Sequence, residues 1–427
     1  MAGNGNPSPA RDAAAPSDVT TDTSMSGLRL SERWNDALLD EMRRRGDPPA
    51  DRVIEALLAD RELDEARRLL RLLIENDSPP PEGLPPEVLE YLRESEHLAG
   101  SELDAIDAGQ EVFEDHGPLI LMCLACYSLP AAYAAEKGVK VLHQTAYLEK
   151  RPAKRLFETT QMVLDVMTPG GLERGGRGVR TAQKVRLMHA MVRHMLRHRP
   201  DWPSELGVPI NQEDLAGTLM TFSWITFDGL RRLGVDVPPA AAESYLAAWR
   251  AVGRLMGVAE ELIPESIADA ELLTKRIQSR QIAPSDEGRL LTQALLEMLM
   301  RNGGFGPFRA APAAMMRHFL PADVADFLGV PKNNVAHAVV DFIAGLQRRF
   351  EHFPPFAWLM RALARYISHS VVQRILNVGL GGKSAPFDIP TKLRRHWHLN
   401  PVTEPTLLQR FAQWLRRCIY TLFGGAH

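Results

Sequence analysis

Three cysteines in 427 residues, Cys123, Cys126 and Cys418, are too few for a disulfide framework and suit a reducing cytoplasm. Net charge is also nearly absent. Lysine and arginine number 50 against 53 aspartates and glutamates, a formal charge of −3, which gives no reason to expect a nucleic-acid partner. No run of alternating β-branched residues lasts long enough to suggest a sheet. The first residues lack the basic head and apolar centre of an export signal, so a cytoplasmic location is expected, with residues 1–27 as a disordered tail. Apolar runs are scarce as well. The least polar stretch, Pro118 to Ala135, has 18 uncharged residues, the lower limit for a membrane span. Ser128, Pro130 and two tyrosines interrupt it, and Pro130 should break or kink a helix, so a buried core helix is the expectation.

What is present is helical spacing nearly everywhere, and the fold class is all-α, with no internal repeat. Residues 28–95 read as a helical N-terminal extension, ending in the proline-rich SPPPEGLPPEV from Ser78 and preceded by ELDEARRLLRLLIEN. Residues 96–302 form the main core and 303–427 a C-terminal helical part packed on it. Within the core, PINQEDLAGTLMTFSWITFDGLRRLGV from Pro209 reads as one helix capped by Asn211 with Asp214 three residues on. A helix started by Pro238 and Pro239 ends near Gly257, and helices near Asp269–Ser279 and Ser285–Arg301 complete a bundle that NGGFGPF interrupts. DVADFLGV, HAVVDFIAGLQRRF and PFAWLMRALARYISHSVVQRIL are helical beyond it. The last helix, TLLQRFAQWLRRCIYTLF, has an apolar side and a basic one; it reads as docked on the bundle or as a point of peripheral contact with an anionic membrane.

The chemistry gathers between Lys154 and Met195, two helices joined by a glycine-rich turn. Arg155, Glu158 and Thr159 share a face of the first; Arg186, His189 and Arg193 share a face of the second. Apolar helix faces that carry such groups must give them partners, because burying them unpaired is costly. His189 has the character of an iron ligand, with Arg186 and Arg193 one turn to either side in reach of anionic groups such as haem propionates. A core histidine beside two structural arginines is the competing reading. His194 and His198 make an HxxxH pair without the glutamate of a zinc protease, and a solvated basic helix end is favoured. Cys123 and Cys126 have CxxC spacing but neither a thioredoxin-like context nor a following histidine, so packed core thiols are expected. The turn GGLERGGRG lacks phosphate-loop order and should be flexible.

In their order and spacing these motifs resemble the catalytic domain shared by the latex-clearing rubber oxygenases and the fungal mycophenolic-acid-type oxygenases. The resemblance rests on Arg155 with Thr159, VRLMHAMVR from Val185 to Arg193, YSLP at Tyr127, Gly138 before Val141 and Leu142, and PINQEDL at Pro209. It implies a globin-related multi-helix bundle with b-type haem, and dioxygen as co-substrate in the attack on a hydrophobic unsaturated compound. Carried over, His189 is the iron ligand, Arg193 and Arg186 flank the haem, and Arg155, Thr159 and Glu158 shape the oxygen-binding side. Rubber-cleaving members carry a lysine before the threonine. Glu158 stands there in this chain and cannot supply a neutral amine, which points away from rubber and toward a small unsaturated lipid or terpenoid. A haem or lipid carrier or sensor without turnover, and a helical interaction protein without cofactor, are the alternatives.

Overall fold

The computed structural model describes residues 33–59, 84–95, 103–149, 152–301 and 310–332 together with 393, 396 and 397; for 94, 95, 145–149, 152–155, 157 and 301 it describes the backbone alone. The expected tail 1–27, the ELDEARRLLRLLIEN helix, the NGGFGPF break and the helices from His337 onward lie outside the described residues. Among the described residues no strand forms, only one isolated antiparallel bridge between Ala135 and Ile282, and the all-α class holds.

The centre is α4 (Leu103–Cys123), which continues through a π-helical turn at Leu124–Ser128 into α5 (Leu129–Tyr133). Pro118 lies inside α4, and Pro130 sits in the first turn of α5, where a missing N–H is tolerated. The expected break at Pro130 is therefore taken up by the π turn, and the helical run goes on. This run is long and apolar enough to cross a membrane, yet most of its apolar window is buried inside the bundle. Its main partner is α11 (Pro239–Leu255). They approach closely because Gly109 stands at their contact: a Cβ there would lie 2.2 Å from the Ser244 carbonyl oxygen. Trp397 seals the other side of α4, donating from Nε1 to the Glu114 carbonyl at 2.9 Å and meeting Phe113 edge-on.

Around this pair lie α6 (Glu136–Glu149), α7 (Pro152–Met167), α8 (Arg177–Arg197), α9 (Gln212–Phe222), α10 (Trp224–Arg232), α12 (Ile267–Gln281), α13 (Asp286–Arg301), α14 (Ala311–Phe319) and α15 (Ala322–Phe327). Asn211 caps α9 as its spacing suggests, accepting from the Asp214 N–H at 3.0 Å. The single helix expected from there onward is two. Ser223, with ψ near −85°, breaks it, and its hydroxyl turns back to the Leu219 carbonyl.

The N-terminal segment belongs to the same packed unit as the bundle. Trp34 together with Leu39 and Met42 of α1 (Asp36–Arg44) joins the main apolar cluster. α2 (Pro48–Ala59) and α3 (Pro86–Ser95) form a second cluster against Leu187, Ala190 and Met191 of α8. Among the described residues, apolar faces of the N-terminal segment and of the bundle cover one another.

Charge completes the attachment of α1. Glu213, wholly buried, accepts from Arg43 at 3.1 Å, Arg280 at 2.9 Å and Gln281 at 2.8 Å. Gln212 donates to the Gly46 and Gly257 carbonyls and accepts from the Ala259 N–H. Glu213→Ala leaves two arginines facing an apolar gap and should lower stability by about 3–5 kcal/mol. Asp40→Ala, which removes one of the two exposed partners of Arg280, should cost far less in the same urea titration.

Candidate functional site

α7 and α8 form a hairpin whose connection is closed by backbone bonds from Gly171 to Thr168, Gly176 to Glu173 and Val179 to Gly171. Asp165, buried at the end of α7, accepts from Thr181 and Gln161 at 2.8 Å each and pairs with Arg177. The expected flexible turn is thus a compact one, because a buried carboxylate clamps the start of the second helix to the end of the first.

The sides of α8 are chemically distinct. Leu187, Ala190 and Met191 face α2 and α3, whereas Ala182 and Val185 face the main cluster. His189 lies on the latter side, one turn beyond Val185; it is half-buried, with Nδ1 shielded from solvent. Arg186 and Arg193 lie at the seam between the two sides, and both are buried.

Their partners come from the N-terminal segment, where sequence reading placed nothing functional. Arg186 donates from Nε to Asp47 Oδ2 at 2.6 Å and from Nη2 to Oδ1 at 2.7 Å, and lies over the Tyr91 ring. It is therefore held in a bidentate ion pair with Asp47. Arg193 engages Asp51 through Nε alone, 3.1 Å from Oδ1. Its Nη1 and Nη2 are shielded from water and find no hydrogen-bond partner among the described residues. Such an edge costs about 1–3 kcal/mol or more until an acceptor reaches it. The signals for Asp47 and Asp51 were present, since each precedes or begins a helix, but nothing in a linear reading connects them to residues more than a hundred positions away.

On α7, Thr159 is half-buried and Glu158 exposed. Arg155 lies in the same helix one turn before Thr159, and its side chain is outside the described atoms. His194 and His198 have ring centroids 4.3 Å apart with planes tilted by 40°, and His198 Nδ1 lies 2.7 Å from the His194 carbonyl oxygen. Cys123 and Cys126 are buried and neither is in a disulfide, with burial pushing the Cys123 thiol well up.

Among the described residues no three His, Cys, Asp or Glu side chains converge as a protein-built metal centre. A metal held by His189 would take its further ligands from outside the described side chains, as it does from a porphyrin. The shielded imidazole, with an acceptor-less guanidinium edge one turn away, fits a haem that carries carboxylates.

The chain belongs to the family described as ER-bound oxygenase mpaB/B'/Rubber oxygenase, catalytic domain, whose profile matches residues 111–365 and so crosses the boundary expected at 302. It is an oxygenase by that membership. A rubber oxygenase of Streptomyces sp. (strain K30) is 27% identical over 301 residues, covering 69% of this chain and 73% of that protein. The solved structure of latex clearing protein in the closed state has the same fold, with a TM-score of 0.63 at 23% identity over 78% of this chain and 91% of that one.

Gly257, at φ +78°, ends α11 where a Cβ would lie 2.5 Å from both Arg186 Nε and Asp47 Oδ2. Gly257→Ala should therefore destabilise by more than the ~1–2 kcal/mol of a left-handed alanine. Gly175→Ala, at φ +73° with nothing within 4 Å, is the control that carries only the backbone cost. Equal urea midpoints for the two variants would show that Gly257 does not protect the ion pair.

Burial, and then the neighbouring His198, hold the His194 imidazole below its usual 6.5. The unfolded chain then takes up protons first, so this histidine's contribution to stability is whole above pH 6.5 and is lost as pH falls toward the folded-state value. His194→Gln should flatten the midpoint-versus-pH curve between 7 and 5; a slope unchanged from wild type would contradict this.

Proposed function

We propose that the protein is a b-type haem-dependent oxygenase that cleaves a carbon–carbon double bond of a hydrophobic substrate with dioxygen. The carrying observation is the pairing of a shielded imidazole with a buried guanidinium edge that lacks an acceptor, on one helix of an oxygenase family domain. When bound, the haem supplies the iron at which dioxygen is activated.

The protein's own groups hold and tune that chemistry. His189 would hold the haem iron from α8, and the closed Asp165 turn sets α8 against α7. Arg193 would donate from its Nη edge to a propionate carboxylate. On α7, Arg155 would supply positive charge to the oxygen substrate, Thr159 a hydroxyl donor, and Glu158 a carboxylate able to take up or return a proton. The apolar main cluster beside His189 excludes water and suits an alkene. The name of the Streptomyces relative points to polyisoprene; Glu158 favours a smaller lipid or terpenoid alkene.

Cleavage balances without a reductant: one dioxygen and one C=C give two carbonyls. Monooxygenation would need two further electrons and a donor. Protein from haem-supplied cells should show a Soret band at about one b-haem per chain, lost in His189→Ala while the helical far-UV spectrum is kept. With polyisoprene and a series of small terpenoid alkenes, carbonyl products should form at two per dioxygen with no reductant added. Full haem occupancy in the alanine variant would remove the ligand assignment, and turnover only with an electron donor would replace cleavage by monooxygenation.

A further inference from the structure

Resting on the haem reading above, we infer that Asp51 is a positioning residue: it holds Arg193 by Nε so that the Nη1–Nη2 edge faces a haem carboxylate, while Asp47 removes Arg186 from that role. The two arginines sit on either side of His189, and sequence alone cannot distinguish them. Their carboxylates do.

A guanidinium presents two edges on which a carboxylate can bind by two hydrogen bonds, one made of Nε with Nη2 and one made of Nη1 with Nη2. Asp47 occupies the first edge of Arg186 at 2.6 and 2.7 Å, and Arg186 Nη1 points to the Leu255 carbonyl at 3.5 Å. No edge remains for a second carboxylate. Asp51 lies against Nε of Arg193 with both oxygens, at 3.1 Å and 3.3 Å, and leaves the end-on edge without an acceptor in a place water does not reach. The Arg193 side chain is about 2% exposed, so an acceptor for that edge comes from beyond the described residues, and a carboxylate entering the fold meets the need.

Asp47 and Asp51 are one turn apart at the start of α2, tied by the Asp51 N–H to Asp47 carbonyl bond of 2.9 Å. Since α2 packs its apolar face on Leu187, Ala190 and Met191, the helix that brings the carboxylates is the one that sets the depth of α8. The N-terminal segment therefore orients one arginine and neutralises the other.

The test compares haem b with its dimethyl ester, in which both carboxylates are capped and no anion meets Arg193. Full-length protein is freed of haem, reloaded with each porphyrin, and the rate of porphyrin transfer to apomyoglobin is measured. Arg193→Gln should speed loss of haem b by about tenfold or more, the equivalent of one charge-assisted contact, and leave loss of the ester unchanged. Asp51→Asn should give a smaller acceleration of the same ester-insensitive kind, with Asp51→Glu restoring retention. Arg186→Gln should lower the melting temperature and change both porphyrins alike. Where Arg193→Gln does not fold, Arg193→Lys, which keeps the charge but not the fork, replaces it and should give an intermediate rate for haem b only. Equal effects of Arg193→Gln on the two porphyrins, or an ester-dependent effect of Arg186→Gln, would overturn the assignment while the haem reading stands. Wild-type protein that takes up neither porphyrin would overturn both.

Discussion

The buried pairing of Arg186 with Asp47 is the contact on which the rest of the site depends. A guanidinium and a carboxylate taken out of water are tolerated only in close, two-point geometry, so the pair leaves little latitude in how α2 meets α8. The second set, Arg43 and Arg280 on Glu213, does the same between α1, α9 and α12. Such pairs add little net stability compared with apolar replacements. Their effect here is register: the chain N-terminal to the family domain is held at one depth against the helix that carries His189.

Apolar packing then divides α8 into two functions. The Leu187, Ala190 and Met191 side anchors it to α2 and α3, and the opposite side, with Ala182 and His189, opens toward the main cluster. A histidine on a helix anchored by its other face can turn a ring nitrogen to a ligand without loosening the bundle. The arginines occupy the seam because it is the strip of α8 where long side chains reach carboxylates at the edge of the apolar layer. The glycine-rich connection contributes by being short and closed, so that α7 and α8 stay side by side.

Much of this was legible from residue order. Helix starts at Asn211 and Pro239, the end at Gly257, and the helices around Asp269–Ser279 and Ser285–Arg301 follow from caps, prolines and 3.6-residue spacing, all of which are local. The break at Ser223 was not, because the apolar stripe of Leu215, Leu219, Ile225 and Leu230 runs across it; only a hydroxyl folding back on Leu219 separates the two helices. Nor was the closed turn after Met167, since glycine composition permits flexibility as readily as tight packing, and the choice was made by Asp165.

By itself the sequence determined the all-helical class, the family, and the strip of α8 that bears Arg186, His189 and Arg193, because periodicity and short motifs are properties of neighbouring residues. Which of the two arginines is satisfied and which keeps an open edge was decided only in the folded chain. That depends on Asp47 and Asp51, carboxylates more than a hundred residues away, and burial makes such distant pairings obligatory without marking them in the linear order.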